Sequence, residues 1–271
     1  MPPNKYLQNV VIATVAAVLV GAPFVHGTDE SGSVGTAAGA LVGDTVSTPE
    51  ATGPEGPSRS LATETKVALG AFAALVRPLS HPQALADAFE SYFAFKAAHP
   101  DEVKKPYLYF VDYGLPSTTP RGYVFDMAAR TIVDGPFTVA HGRGSSKSQY
   151  GIPTRFSNAF GSAASSLGLF LAKETYAFRG TAGGRLYSSI GLKLMGLSAG
   201  FNDNALARRV VAHGAPYVTP ARAGRSEGCP AMEQSRARRL LPKLADGSLV
   251  FLFSPDPNWM AGDPWLAANA G

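Results

Sequence analysis

Tyr107-Leu108-Tyr109-Phe110-Val111-Asp112, entered through Pro106, is the stretch on which the reading of this chain turns. Aromatic and apolar residues crowd it without helical spacing, and a proline stands just ahead, as for a buried strand. Gly122–Asp126 and Thr131–Ala140 repeat the pattern downstream. Leu167–Ala172, Leu186–Ile190, Arg209–Ala212 and Leu249–Phe253 continue it, separated by Gly, Pro and Ser/Thr turns. Short strands so divided predict a mainly β domain over residues 106–254, built as an antiparallel sandwich or barrel.

Upstream the period changes. Leu69, Phe72, Ala73 and Val76 fall at helical spacing within Leu61–Val76. Ser80-His81-Pro82-Gln83 reads as a capping box with proline in the first turn, opening a second helix through Leu85, Phe89, Tyr92, Phe93 and Lys96. This helical segment, residues 61–105, is expected to pack outside the β domain, and residues 255–271 form a C-terminal tail. Thr28–Ser60 is Gly, Ser, Thr, Ala and Pro with few large apolar residues. Such a composition buries too little surface to offset its ordering entropy, so 28–60 reads as a flexible tether. At the start, Lys5 precedes the apolar run Val10–Val20, and Val25-His26-Gly27 puts short residues at the −3 and −1 positions. Residues 1–27 therefore read as a signal peptide or a signal anchor in the inner membrane, and the chain as exported to the periplasm or cell envelope.

The composition excludes several classes. Of 271 residues, 45% are hydrophobic and 16% charged, which excludes a wholly disordered chain and a coiled coil. The 29 glycines and 21 prolines favour turns over a helical bundle. The net charge of +4 is spread along the chain with no basic run, so no nucleic-acid partner is indicated. A single cysteine allows no internal disulfide and no cysteine-rich zinc site, and there is no His-Glu-x-x-His run.

That one thiol sits in Gly224-Arg225-Ser226-Glu227-Gly228-Cys229-Pro230, and Val210-Val211-Ala212-His213-Gly214 precedes it. A thiol attacks as thiolate, and a nearby imidazole or positive dipole favours that form. His213 is the candidate base. Gly228 lets a substrate approach the backbone, whose N–H groups there are candidates for an oxyanion hole. A helix over Met232–Leu241 would set its positive end just after Cys229 and lower the thiol pKa. His141-Gly142-Arg143-Gly144 repeats the His213 context and makes His141 a candidate substrate-binding or supporting residue. Gly142–Ser148 lacks the Gly-Lys-Ser/Thr spacing of a phosphate loop.

These segments, with Phe156-Ser157-Asn158, Ser165-Ser166-Leu167-Gly168, Gly200–Ala205 and Gly247-Ser248-Leu249, resemble in order the murein L,D-transpeptidase (YkuD-type) family. The likeness is to the subgroup in which Pro-Ala, here Pro230-Ala231, follows the cysteine. The resemblance implies a β-rich catalytic domain with Cys229 as nucleophile, His213 as general base, and Ser226, Gly228 and Cys229 as the oxyanion segment. It implies acyl transfer on peptidoglycan stem peptides without metal or cofactor. Cys229 would attack the carbonyl at the L-centre of diaminopimelate, release the terminal D-Ala and hold a thioester. An amine of a second stem then gives a 3→3 cross-link, whereas water gives an L,D-carboxypeptidase. A catalytically silent peptidoglycan-binding module is the third reading. Two positions depart from the wider family: Glu227 stands where His or Arg is frequent, and Ala231 where Arg is. Recognition of a substrate carboxylate then falls to Arg225 or Arg222, with Gly214 and His141 as further substrate-side candidates.

Overall fold

In the computed structural model, residues 60–266 are described, so the expected export segment and nearly all of the tether lie outside them. The chain opens with α1 (Leu61–Phe72), capped by the Ser60 side chain, and α2 (Ala84–Ala98). Four strands follow: β1 (Tyr107–Asp112), β2 (Gly122–Asp126), β3 (Thr131–Phe137) and the short β4 (His141–Gly142). A long hairpin pairs β5 (Gly168–Ala182) with β6 (Arg185–Gly196), and β7 (Val211–Ala215) comes next. Then come β8 (Val218–Thr219), β9 (Arg222–Ala223), β10 (Arg225–Ser226) and β11 (Ala231–Glu233). α3 (Gln234–Leu244), β12 (Leu249–Phe253) and α4 (Pro257–Gly262) complete the fold.

The domain is mainly β, as expected. Eight strands form one sheet in the order β11-β7-β6-β5-β12-β1-β2-β3, and β10-β4 and β8-β9 make two small ladders. The sheet is mixed, not purely antiparallel, because β1 runs parallel to β12 and β11 parallel to β7. Central position explains the near-continuous apolar runs: Leu108–Val111 and Leu249–Phe253 are all buried.

The helical pair packs on this sheet through aromatic rings. Phe89 meets Phe125 of β2 edge-on at 5.5 Å, and Phe72 lies against both. Such contacts add about 0.5–1.5 kcal/mol apiece to the area they bury. The expected capping box does not form. The Ser80 N–H and hydroxyl donate instead to the buried Asp112 carboxylate, at 2.7 and 2.6 Å, and Gln83 takes the N-cap position without a side-chain bond. The C-terminal segment is part of the core as far as it is described: Trp259 packs on Phe251 and Phe253, and Trp265 on Phe95.

Two strand boundaries move for local reasons. Arg209 adopts φ +59°, so β7 begins at Val211 and not at Arg209. Gly183 and Gly184 both take positive φ, which closes a two-residue hairpin and lets β5 and β6 run far beyond the expected Leu167–Ala172 and Leu186–Ile190.

Candidate active site

The turn Ser226-Glu227-Gly228-Cys229 joins β10 to β11. Ser226 Oγ accepts the Gly228 N–H at 3.1 Å and donates to the Cys229 carbonyl at 2.6 Å, which closes the turn. Gly228 sits at φ +125°, where a Cβ would lie 2.9 Å from the Ala164 carbonyl oxygen, so both conformation and space require glycine. Behind it, Ser165 Oγ accepts the Gly142 N–H and donates to the Gly228 carbonyl, each at 3.0 Å. A Cβ on Gly142 would stand 2.3 Å from the Ala163 oxygen and 2.7 Å from the Gly228 Cα. β4 is thus the floor on which the turn rests.

Cys229 is partly buried, and burial pushes its thiol above the ordinary value. The Val211 N–H and the Arg208 charge oppose that rise, and Glu227 adds to it. The lowered thiol expected from a helix N-terminus is not found. β11 intervenes, and α3 begins only at Gln234. Of the N–H groups expected to serve an oxyanion, Gly228's is taken by Ser226. That of Cys229 donates no hydrogen bond among the described residues, and neither does that of Glu227, which the sequence did not single out.

His213 is buried on β7, two residues beyond the Val211 N–H that meets the thiol. Its own N–H donates to the Pro230 carbonyl at 3.2 Å, and its register partner is Ala231, so β7 and the Cys229–Ala231 segment run edge to edge. Nδ1 lies 3.1 Å from the Gly214 carbonyl oxygen, which can only accept. The proton therefore sits on Nδ1 and the lone pair on Nε2. Burial brings the imidazole down to about 4, so it is neutral at pH 7. The ring stacks on Phe178 of the long hairpin at 4.3 Å and 21°. No hydrogen bond joins the imidazole to Sγ among the described residues.

The hairpin also brings phenols to the thiol. Burial first, and the field of a Cys229 thiolate second, raise the pKa values of Tyr176 and Tyr187; the thiolate acts in the same direction on half-buried Tyr217. Gly191, between Tyr176 and His213 in the ladder, leaves room for the Tyr176 ring: a Cβ would lie 2.7 Å from it.

Arg208 is the cation beside Cys229, and sequence reasoning missed it. Its guanidinium donates to the Ser157 and Ala164 carbonyls, at 2.7 and 3.0 Å, and to the Ser166 and Ser162 hydroxyls, at 2.6 and 3.1 Å. All four terminal donors are used and none meets a carboxylate, so the charge stays uncompensated beside the thiol. A cavity of about 260 Å³ opens there, lined by Phe160, Ala163, Arg208, Arg209, Val210 and Glu227 with Cys229.

The remaining candidates fall elsewhere. Arg225 donates to the Ser146 and Lys147 carbonyls, at 3.0 and 3.3 Å, and Arg222 stands over the Tyr150 ring at 5.4 Å. Gly214 supplies the carbonyl that fixes His213, while its Cα faces α3, where a Cβ would meet Ala237 and Gln234 at 2.9 Å. His141 is fully buried. Its Nδ1 accepts from the Arg121 guanidinium at 3.0 Å, and Nε2 has no partner among the described residues. Burial and the Arg121 charge bring His141 down to about 3. Among the described residues no group of three or more His, Cys, Asp or Glu is placed to hold a metal ion, and no helix is long and apolar enough to cross a membrane.

Sequence comparison places the chain in a family. The L,D-transpeptidase catalytic domain model matches residues 78–253, and the chain belongs to that family. A comparison with curated proteins found no match. Solved structures that it resembles include an L,D-transpeptidase from Stackebrandtia nassauensis, at 15% identity over 65% of this chain and 68% of that one, TM-score 0.35. An L,D-transpeptidase from Mycobacterium smegmatis matches at 15% identity over 55% and 58%, TM-score 0.32. One from Mycobacterium tuberculosis H37Rv matches at 13% over 55% and 57%, TM-score 0.34. The chain thus spans under two thirds of both mycobacterial proteins.

Proposed function

We propose that this chain is an exported cysteine acyltransferase of the bacterial cell envelope that forms 3→3 cross-links in peptidoglycan. The observation that carries the reading is His213: a neutral imidazole, its Nδ1 proton fixed by Gly214, on the strand whose Val211 N–H meets the Cys229 sulfur. As Sγ attacks the carbonyl at the L-centre of diaminopimelate, Nε2 of His213 takes the thiol proton, because a raised thiol needs a base at the moment of attack. The Glu227 and Cys229 N–H groups take the oxyanion, without a side-chain donor from position 227. Collapse breaks the amide bond, and the imidazolium gives its proton to the departing D-Ala amine. The acceptor amine then attacks the thioester, again losing its proton to His213, and that proton returns to sulfur as the thiolate leaves. No metal or cofactor is required.

The test is to incubate the purified protein with a disaccharide-tetrapeptide and separate the products by mass. Dimers linked between two diaminopimelate residues, with loss of one D-Ala and none formed by Cys229→Ala, are expected. Tripeptide monomers alone would replace transfer by hydrolysis. Binding to sacculi without any product would leave a wall-binding module.

A further inference from the structure

A second cavity, of about 370 Å³, is lined by Arg143 of the Arg143–Glu227 ion pair. Glu227 lines the Cys229 cavity, and Arg143 lines this one. Four cationic side chains surround it, Arg143, Lys147, Arg155 and Arg225, and no carboxylate does. Arg143 is neutralised by Glu227 at 2.7 Å. The other three have no acidic partner among the described residues. Arg155 is oriented by its Nε donating to the Gly144 carbonyl at 3.0 Å, and Arg225 by the Ser146 and Lys147 carbonyls. A guanidinium fixed by neutral carbonyls keeps its full charge and its remaining N–H donors for a ligand. Arg225 is also the residue before Ser226, so this cavity and the catalytic turn share one strand, β10.

We infer that this cavity is a carboxylate-binding subsite in which Arg155, Arg225 and Lys147 hold a free side carboxylate of the donor stem while its acyl group reaches Cys229. The inference rests on the acyl-transfer reading above and adds a substrate preference to it. The carboxylate at the far end of the diaminopimelate side chain is the fitting group, being carried by the same residue that Cys229 attacks. Charge-assisted bonds to such an anion discriminate it from its neutral carboxamide by about 10–100-fold.

The experiment measures single-turnover acylation of Cys229 by intact mass, using two donor tetrapeptides alike except that one carries this carboxylate as the carboxamide. Alkylation by iodoacetamide checks the thiol in each variant. The wild type is expected to favour the carboxylate donor about 10–100-fold. Arg155→Gln/Lys147→Gln, both at exposed positions, should lose most of that preference with unchanged alkylation, and Arg225→Gln should lose more. A double variant that keeps the preference, or that slows both donors equally, overturns the subsite. Equal acylation of the wild type by both donors overturns it too and leaves the acyl-transfer reading standing. Equal acylation together with inhibition by millimolar inorganic phosphate identifies a phosphate site in its place. Acylation by neither donor, with the thiol still alkylated, overturns the acyl-transfer reading itself.

Discussion

Replacing Arg208 separates two effects that the structure unites in one side chain. Arg208→Met keeps the apolar stem but removes four hydrogen bonds to Ser157, Ser162, Ala164 and Ser166. At ~1.5 kcal/mol each, bonds to a charged donor set a ceiling near 6 kcal/mol. The side chain is partly exposed, so water recovers some of this, and the Ser157 carbonyl keeps the Ser166 hydroxyl as donor. A loss of about 2–4 kcal/mol follows, lowering Tm by about 5–15 °C for a domain of this size. Removing the charge also removes one of the groups that favour the Cys229 thiolate. At an effective dielectric near 20 a charge nearby is worth about 1–2 kcal/mol, so alkylation at fixed pH should slow about 5–30-fold. Arg208→Lys keeps the charge without the fork. It should lose stability like the methionine variant yet alkylate nearly as fast as wild type. Iodoacetamide rates from pH 6 to 9, read by intact mass beside a thermal melt, distinguish these outcomes. A methionine variant with the wild-type pH profile, or a lysine variant as slow as methionine, would refute the electrostatic role.

Three further outcomes follow from the same geometry. His213→Ala should cut turnover about 10²–10⁴-fold, since a raised thiol then loses the base proposed for it; steady-state kinetics with an intact melt would check it. Gly142→Ala would set a Cβ within 3 Å of Ala163, Gly228 and Ser165 backbone atoms, none of which can rotate away. Calorimetry should show at least about 1–3 kcal/mol of destabilisation, with loss of selective Cys229 labelling; a variant of native stability would show the floor to be yielding. His213 and His141 titrate near 4 and 3 when folded, against about 6.5 unfolded, so the unfolded chain binds more protons between those values. Stability is therefore full above about pH 6.5 and falls as pH drops toward 4, by about 2 kcal/mol at pH 5 from His213 alone. Urea titrations flat between pH 7 and 5 would contradict burial of neutral imidazoles.

The strands with the plainest sequence signal were those buried on both faces. Tyr107–Asp112, Gly122–Asp126 and Leu249–Phe253 have the bounds their apolar runs predict. The β5–β6 hairpin was only half legible, because its outer part is largely exposed and carries no core pattern, although Gly183-Gly184 was a usable turn signal. Its length matters to the site, since it delivers Phe178 to His213 and Tyr176 toward Cys229. Ser80 misled because Asp112, far along the chain, outcompetes a local cap. Cys229 and His213 could be singled out because each stands in a short segment with its own chemistry. Arg208 could not: in Ala207-Arg208-Arg209 nothing marks one arginine over its neighbour until the Ser157–Ser166 segment folds against it.

The nucleophile assignment is tested most directly by intact mass after incubation with a carbapenem, on wild type and Cys229→Ala side by side. One adduct on the wild type and none on the variant is the result expected of a thiol set in an acyl-accepting site. An unmodified wild type whose Cys229 still reacts with iodoacetamide would contradict it.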